Sequence, residues 1–399
     1  MNKFAPYYNA VNFLENLSNL PRDNDYMTNR GDAWIHLEKT RILFKLLGNP
    51  QKNFNYIHIT GTSGKGTVAN LIHSALTASG KKAGLFTSPF TTTTIEKFKI
   101  NNLYINPLEF AKLVEYLKPF IDKANLLSPW GPLSYFEIIF ALAIVYFKKH
   151  HCKWVVLEVG CGGRFDATNI IPAPVASVLT NIGFDHAEIL GKTLKKIAFE
   201  KAGIIKKNSN FWTTEQRPHL LEMFKKICKK EKAIFHWIKN EKQSHSILNK
   251  QLARSVCEKL NIKNKHIVKG FKKAFMPCRF EIVQKSPLVI LDGAHNGAKI
   301  ASTTYGLKKE KYKKLHLIFA LANNKEASVI LKKIIPMADY VYLTRFEMAR
   351  RKCADPVLLF KLAKKIAKPN AKHGFGYRIF LFVRRFAQKL ASGRMGAKK

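Results

Sequence analysis

The feature that most limits how this chain can fold is a glycine-rich turn set between a β-rich run and a helical one. Phe54-Asn55-Tyr56-Ile57-His58-Ile59-Thr60 reads as a strand, and Gly61-Thr62-Ser63-Gly64-Lys65-Gly66-Thr67 follows at once. Val68 to Ser79 then has helical spacing and stops at Gly80. Glycines at such a turn let backbone N–H groups converge on phosphate oxygens at a helix N-terminus. Lys65 adds a point charge for the outer phosphates, and Thr67 offers a hydroxyl near a metal. Ile59 stands where the general phosphate-loop spacing has its first glycine, so the string is an imperfect match. The strand before it and the helix after it favour a phosphate cradle over a merely structural turn.

The same alternation continues. Ala83–Thr87, Trp154–Val159 and Val175–Asn181 read as strands, and Ser134–Lys149 and Leu194–Ala202 as helices, the first needing burial on most sides. This predicts an α/β protein with a wound, P-loop-type parallel sheet in its N-terminal domain. A second, smaller α/β pattern begins near Arg279, with strands at Leu288–Leu291, Leu315–Ala320 and Tyr340–Leu343. The boundary is expected near residue 285, at Lys285-Ser286-Pro287, giving domains 1–285 and 286–399. No Asp or Glu follows Asp355. In that tail Tyr377–Val383 reads as a strand and Ala391–Lys399 as disordered, so the ending is expected to be truncated or altered after about residue 367.

Composition removes several function classes. The chain has 68 Lys and Arg against 27 Asp and Glu, a net charge of +41, which favours anionic partners. The charge is spread as short Lys pairs on helical stretches, without an aromatic-basic cluster, so nucleic acid is not the expected partner. The six cysteines have no C-x-x-C spacing, which argues against zinc and fits a reducing compartment. The longest apolar stretch, Tyr135–Phe147, is too short to span a bilayer and contains Glu137. A cytoplasmic protein that does not use a membrane is expected.

Further strings carry chemistry. Glu158 ends a buried strand and precedes Gly160-Cys161-Gly162-Gly163, a place where α/β sheets put ligands, which makes it a candidate Mg²⁺ ligand. Asp185-His186 follows another buried strand and reads either as a structural pair or as part of a metal site. Lys201, near a helix end, reads from its own surroundings as a solvated charge. Asp292-Gly293-Ala294-His295-Asn296 follows a strand; it is either a turn or a place where Asp292 meets a ribose and Arg279 a phosphate or base.

Taken together and in this order, these strings resemble the folylpolyglutamate synthase/dihydrofolate synthase family of the Mur ligase superfamily, over roughly residues 30 to 345. The resemblance implies an ATP-binding N-terminal domain and a smaller C-terminal ligase domain. It assigns Gly61, Thr62, Ser63, Gly64, Lys65, Gly66 and Thr67 to ATP, with Asn249, Arg279 and Asp292 at nucleotide-contacting positions. His295 falls in the family's Ala-His-Asn motif. Ser88, Glu158 and His186 match metal ligands, and Lys201 matches a lysine that the family carbamylates, which reverses the solvated reading. Ser134 and Phe165-Asp166-Ala167 match the pterin-substrate region. Lys65, His186 and Lys201 would then serve catalysis. The implied reaction joins L-glutamate to a folate, or to dihydropteroate, through an acyl phosphate, with ATP and Mg²⁺, in a monomeric enzyme.

The chain departs from the family's pattern in several places. Ser63 replaces an Asn, Phe90 a His and Gly297 a Pro, and the string Ala320–Glu326 lacks the Asp residues that normally flank Lys325. A terminal Thr-Gly-Ser turn is missing. A Mur-type ligase of cell-wall synthesis and a basic nucleic-acid-binding ATPase are the rival readings. The Asp166 region and Glu200-Lys201-Ala202-Gly203-Ile204 favour the folate ligase.

Overall fold

A computed structural model of the protein describes residues 3–17, 33–91, 93–241, 243–323, 325–346, 352–366 and 374–376. It divides into two compact units, 1–276 and 277–399.

The first unit is built on strands β1 (Asn55–Thr60), β2 (Ala83–Phe86), β3 (Phe98–Ile100), β4 (Leu103–Tyr104), β5 (Trp154–Glu158), β6 (Ala176–Leu179), β7 (Asn210–Thr213) and β8 (Ile234–Trp237). They form one sheet in the order β4-β3-β2-β5-β1-β6-β7-β8. Every pairing from β2 to β8 is parallel, while β3 and β4 add an antiparallel edge. A parallel sheet needs cover on both faces, and β1 shows how the sequence meets that need. Ile57 and Ile59 pack into a core with Val68, Ile72, Leu252 and Ile267, from the helices Lys65–Ala78, His245–Lys259 and Asn264–Lys273. Tyr56, facing the other way, joins Phe44, Leu117 and Phe140, from Trp34–Leu46, Pro107–Leu127 and Tyr135–Lys149. The helices Lys65–Ala78 and Asn264–Lys273 approach so closely that a Cβ on Gly270 would lie 2.6 Å from the backbone of Ala75.

The helix Tyr135–Lys149 is buried along most of its length, as its composition requires. Ser134 caps it, its hydroxyl accepting from Glu137 N while the Glu137 carboxylate accepts from Ser134 N. This reciprocal arrangement satisfies two otherwise orphaned donors.

The second unit holds a hairpin, β9 (Glu281–Lys285) and β10 (Leu288–Leu291), and a parallel sheet of β11 (His316–Phe319), β12 (Tyr340–Leu343) and β13 (Gly374–Gly376). Its core gathers Ile300, Phe319, Leu321, Ile330, Val341 and Leu359. The division falls between Met276 and Pro277, ahead of the expected residue 285. The reason is local: of the expected boundary string, Lys285 ends β9 and Ser286-Pro287 form the turn joining β9 to β10. The readings of Tyr377–Val383 and Ala391–Lys399 lie outside the described residues, as does most of the stretch after residue 367. Among the described residues no helix is long and apolar enough to cross a membrane.

Candidate active site

The register of the sheet brings three strand ends side by side. Ile59 of β1 pairs with Glu158 of β5 and with Val178 of β6, so the glycine loop, the Glu158 carboxylate and the Thr180-Asn181 turn all leave the same edge. This is the edge where open α/β sheets bind ligands.

The loop is shaped by its glycines. Gly61 has φ +143°, and a Cβ there would lie 1.9 Å from Thr180 Oγ1. Gly64, at φ +87°, is the N-cap of the helix Lys65–Ala78, and a Cβ there would lie 2.7 Å from Asn249 Nδ2. Asn249, assigned from resemblance, therefore packs directly over the loop. Thr62 N donates to Asn181 O at 2.9 Å, and Ser63 N donates to Asn181 Oδ1 at 2.9 Å. Thr180 Oγ1 donates to Ser63 O at 2.6 Å. The β6 turn thus holds the loop open, a role that nothing in the spacing of Thr180-Asn181 announced. Ser63 Oγ is buried without a hydrogen-bond partner, and Thr67 lies in the helix's first turn.

Two lysines meet at the base of the loop. Lys65 Nζ and Lys201 Nζ donate to the same carbonyl, Gly61 O, at 3.0 and 3.2 Å. Lys201 is only 4% exposed, so its reading as a solvated charge is overturned. Close packing places it there: a Cβ on Gly163 would lie 2.8 Å from Lys201 O, and one on Gly203 would lie 2.4 Å from Arg164 Cβ. Burial, followed by the nearby Lys65 charge, pushes the Lys201 amine down to about 8.

Glu158 is 4% exposed and accepts from Ser88 N at 3.2 Å through Oε2. The same oxygen would lie 3.2 Å from a Cβ on Gly66, so the carboxylate faces the start of the loop helix. His186 has left-handed backbone, φ 51°, with Nε2 3.9 Å from Asp185 Oδ1. Among the described residues no group of three or more His, Cys, Asp and Glu comes together as a metal site. Ser88, Glu158, His186 and Lys201 are the residues that the family resemblance matches to metal ligands.

Of the residues matched to the pterin region, Phe165, Asp166 and Ala167 follow β5, while Ser134 is the N-cap of the helix Tyr135–Lys149. Asp166 is 4% exposed. Its Oδ2 accepts from Cys161 N at 2.9 Å, and its Oδ1 accepts from Thr168 N at 3.0 Å and Thr168 Oγ1 at 2.5 Å. Burial pushes its carboxyl above the usual range despite these donors. The Asp166 carboxylate therefore braces the loop. Ala167 is buried, and Phe165 is half-buried with the Arg164 guanidinium 4.6 Å over its ring.

In the second unit, Asp292 accepts from Phe280 N at 2.8 Å and Ala294 N at 2.7 Å, fixing the turn after β10. Arg279 is exposed. His295 donates from Nδ1 to Gly293 O at 2.9 Å and accepts at Nε2 from Lys299 Nζ at 2.9 Å. Burial, then the Lys299 charge, lowers it to about 4, so it is neutral at physiological pH.

Comparison with known proteins adds an independent line. The profile of the Mur ligase, glutamate ligase domain matches residues 278–372. A dihydrofolate synthase/folylpolyglutamate synthase of Bacillus subtilis is 30% identical over 371 residues, covering 81% of this chain and 86% of that protein. The crystal structure of folylpolyglutamate synthase from Thermotoga maritima matches with a TM-score of 0.78 at 26% identity, covering 98% of this chain and 93% of that one. A solved FPGS–AMPPCP–folate complex matches with a TM-score of 0.76 at 25% identity, covering 96% and 99% of the two chains.

Proposed function

The chain belongs to the dihydrofolate synthase/folylpolyglutamate synthase family, and from that premise we propose that it joins L-glutamate to the carboxylate of a folate or of dihydropteroate, driven by ATP. The observation that carries the reading is the loop at Gly61: a glycine turn at a helix N-terminus, held open by Asn181, with Lys65 and Lys201 at its base. Such a loop suits the terminal phosphates of a nucleotide. The partnerless Ser63 Oγ supplies one more donor there. Asn249 covers the loop, and Arg279, Asp292 and His295 are assigned to the nucleotide on the family match.

A carboxylate is a poor electrophile. Its attack on the γ-phosphate yields an acyl phosphate and ADP, and the helix N-terminus and Lys65 offset the charge of the transferring group. The amine of L-glutamate then attacks the acyl carbon, and the tetrahedral intermediate collapses to an amide and inorganic phosphate. Ser134 and Phe165-Asp166-Ala167 are assigned to the region that receives the pterin.

The residues fit a divalent cation. Glu158 supplies a hard carboxylate oxygen beside the loop, and Ser88 lies next to it. An amine lowered to about 8 is partly neutral at physiological pH, the form that adds CO₂ to become a carbamate, so Lys201 can become an anionic oxygen donor. His186 would complete the set. Mg²⁺, when bound, would neutralise charge on the phosphate oxygens.

The test is ADP release. Turnover that requires L-glutamate together with a folate or dihydropteroate supports the reading. ATPase activity stimulated by nucleic acid alone, or by a cell-wall precursor in place of the pterin, overturns it.

A further inference from the structure

β1 ends in the phosphate loop, but two of its side chains point elsewhere. His58 and Thr60 lie on the same face of the strand, two residues apart, and both bond to the loop after β5 that carries Asp166. Thr60 Oγ1 donates to Gly162 O at 2.6 Å. His58 is 0% exposed, and its Nε2 lies 2.8 Å from Thr168 Oγ1. That hydroxyl has one proton, and it lies 2.5 Å from Asp166 Oδ1, an acceptor. With Asp166 ionised, the assignment runs one way: His58 Nε2–H donates to Thr168, and Thr168 O–H donates to Asp166. His58 Nδ1 then carries the lone pair, and it is the buried ring nitrogen without a partner. Burial lowers His58 to about 3, in keeping with a neutral ring.

We propose that His58 is a positioning residue: through Thr168 it fixes the Asp166 loop relative to the phosphate loop that the same strand carries three residues later. A buried histidine in mid-strand whose second nitrogen is unsatisfied is poor material for stability alone, since an orphaned polar atom in the core is destabilising. A directional donor at this point aligns the two loops as one rigid piece. Because the proposal rests on the ligase reading, the alignment is that of the acceptor carboxylate on the γ-phosphate. His58 and Thr168 are not among the residues assigned to ATP.

The experiment compares His58→Leu, His58→Gln, Thr168→Val and Thr168→Ser in the full chain. Gln places an N–H near the position of Nε2–H, and Ser keeps the hydroxyl. Expected for Leu and Val is a fall in kcat of about tenfold or more with the KM for ATP within about twofold, and substantial recovery in Gln and Ser. Expected also is faster hydrogen exchange at the Cys161 and Thr168 amides in Leu and Val but not in their rescuing partners. Unchanged exchange and turnover in Thr168→Val, which keeps the shape of the site, overturns the proposal even if His58→Leu fails to fold. Equal loss in the rescuing and non-rescuing variants overturns it too. If the parent enzyme lacks pterin-dependent turnover, the ligase reading fails by itself, and the exchange rates still decide whether His58 pins the loop.

Discussion

The ammonium groups of Lys65 and Lys201, residues far apart in sequence, donate to one backbone oxygen, that of Gly61. Burial first, and then the Lys65 charge, make protonation of Lys201 harder. Lys201→Ala removes the group proposed above to become the carbamate. Glutamate-dependent turnover is expected to fall by about a hundredfold or more, with partial recovery in millimolar acetate or formate. Near-normal turnover in steady-state assays would show that Lys201 carries no ligand role.

Glu158→Gln keeps the shape of the site and removes its charge. The Mg²⁺ concentration giving half-maximal turnover is expected to rise by about tenfold or more, with far-ultraviolet dichroism unchanged. Chelation of divalent ions is expected to stop the parent enzyme, and added Mg²⁺ to restore it.

The glycines at the two ends of the helix Lys65–Ala78 separate two effects of adding a methyl group. Gly80 has φ +84° with no atom within 4 Å of the new Cβ, so Gly80→Ala meets only backbone strain. That costs about 1 kcal/mol and leaves nucleotide affinity alone. Gly64→Ala at φ +87° also drives Asn249 off the loop, and nucleotide affinity measured by calorimetry is expected to fall by about tenfold or more.

Acid should destabilise the first unit through two histidines. Burial lowers both His58 and His73 from 6.5 to about 3. The folded state therefore refuses protons that the unfolded chain accepts below 6.5, so the contribution of these two residues is flat above that pH and falls as pH drops from 6.5 towards 3. Two protons give a slope of at most about 2.7 kcal/mol per pH unit. In His73→Gln, urea midpoints at about pH 5 and about pH 7.5 should differ by about one proton's worth less than in the parent.

Local elements were legible in the sequence because they have local causes. Leu194–Ala202 is a helix at the expected residues, and Tyr340–Leu343 a strand. The loop helix begins at Lys65, ahead of the expected Val68, because left-handed Gly64 caps it directly. The antiparallel edge β3–β4 was not foreseen, although Asn101, at φ 51°, makes the turn between its strands. The site was legible where chemistry sits on a contiguous string, as at Gly61–Thr67. It was illegible at Asn181, Thr180 and His58, whose bonds reach across neighbouring parallel strands to partners more than a hundred residues away. No spacing rule connects such pairs. Lys201 is the clearest case: its burial depends on the glycines at 163 and 203, which make room for the end of its helix.

The hairpin of β9 and β10 decides where the gene can be cut. A fragment ending at Met276 keeps all eight strands of the large sheet together. A fragment starting at residue 286 would begin inside the hairpin turn and carry β10 without β9, its only strand partner among the described residues. That would leave Leu288-Val289-Ile290-Leu291 as a bare apolar edge, open to pairing with the same edge on another molecule. Separate expression of the smaller unit therefore has to start at Pro277, which keeps the whole hairpin on one polypeptide.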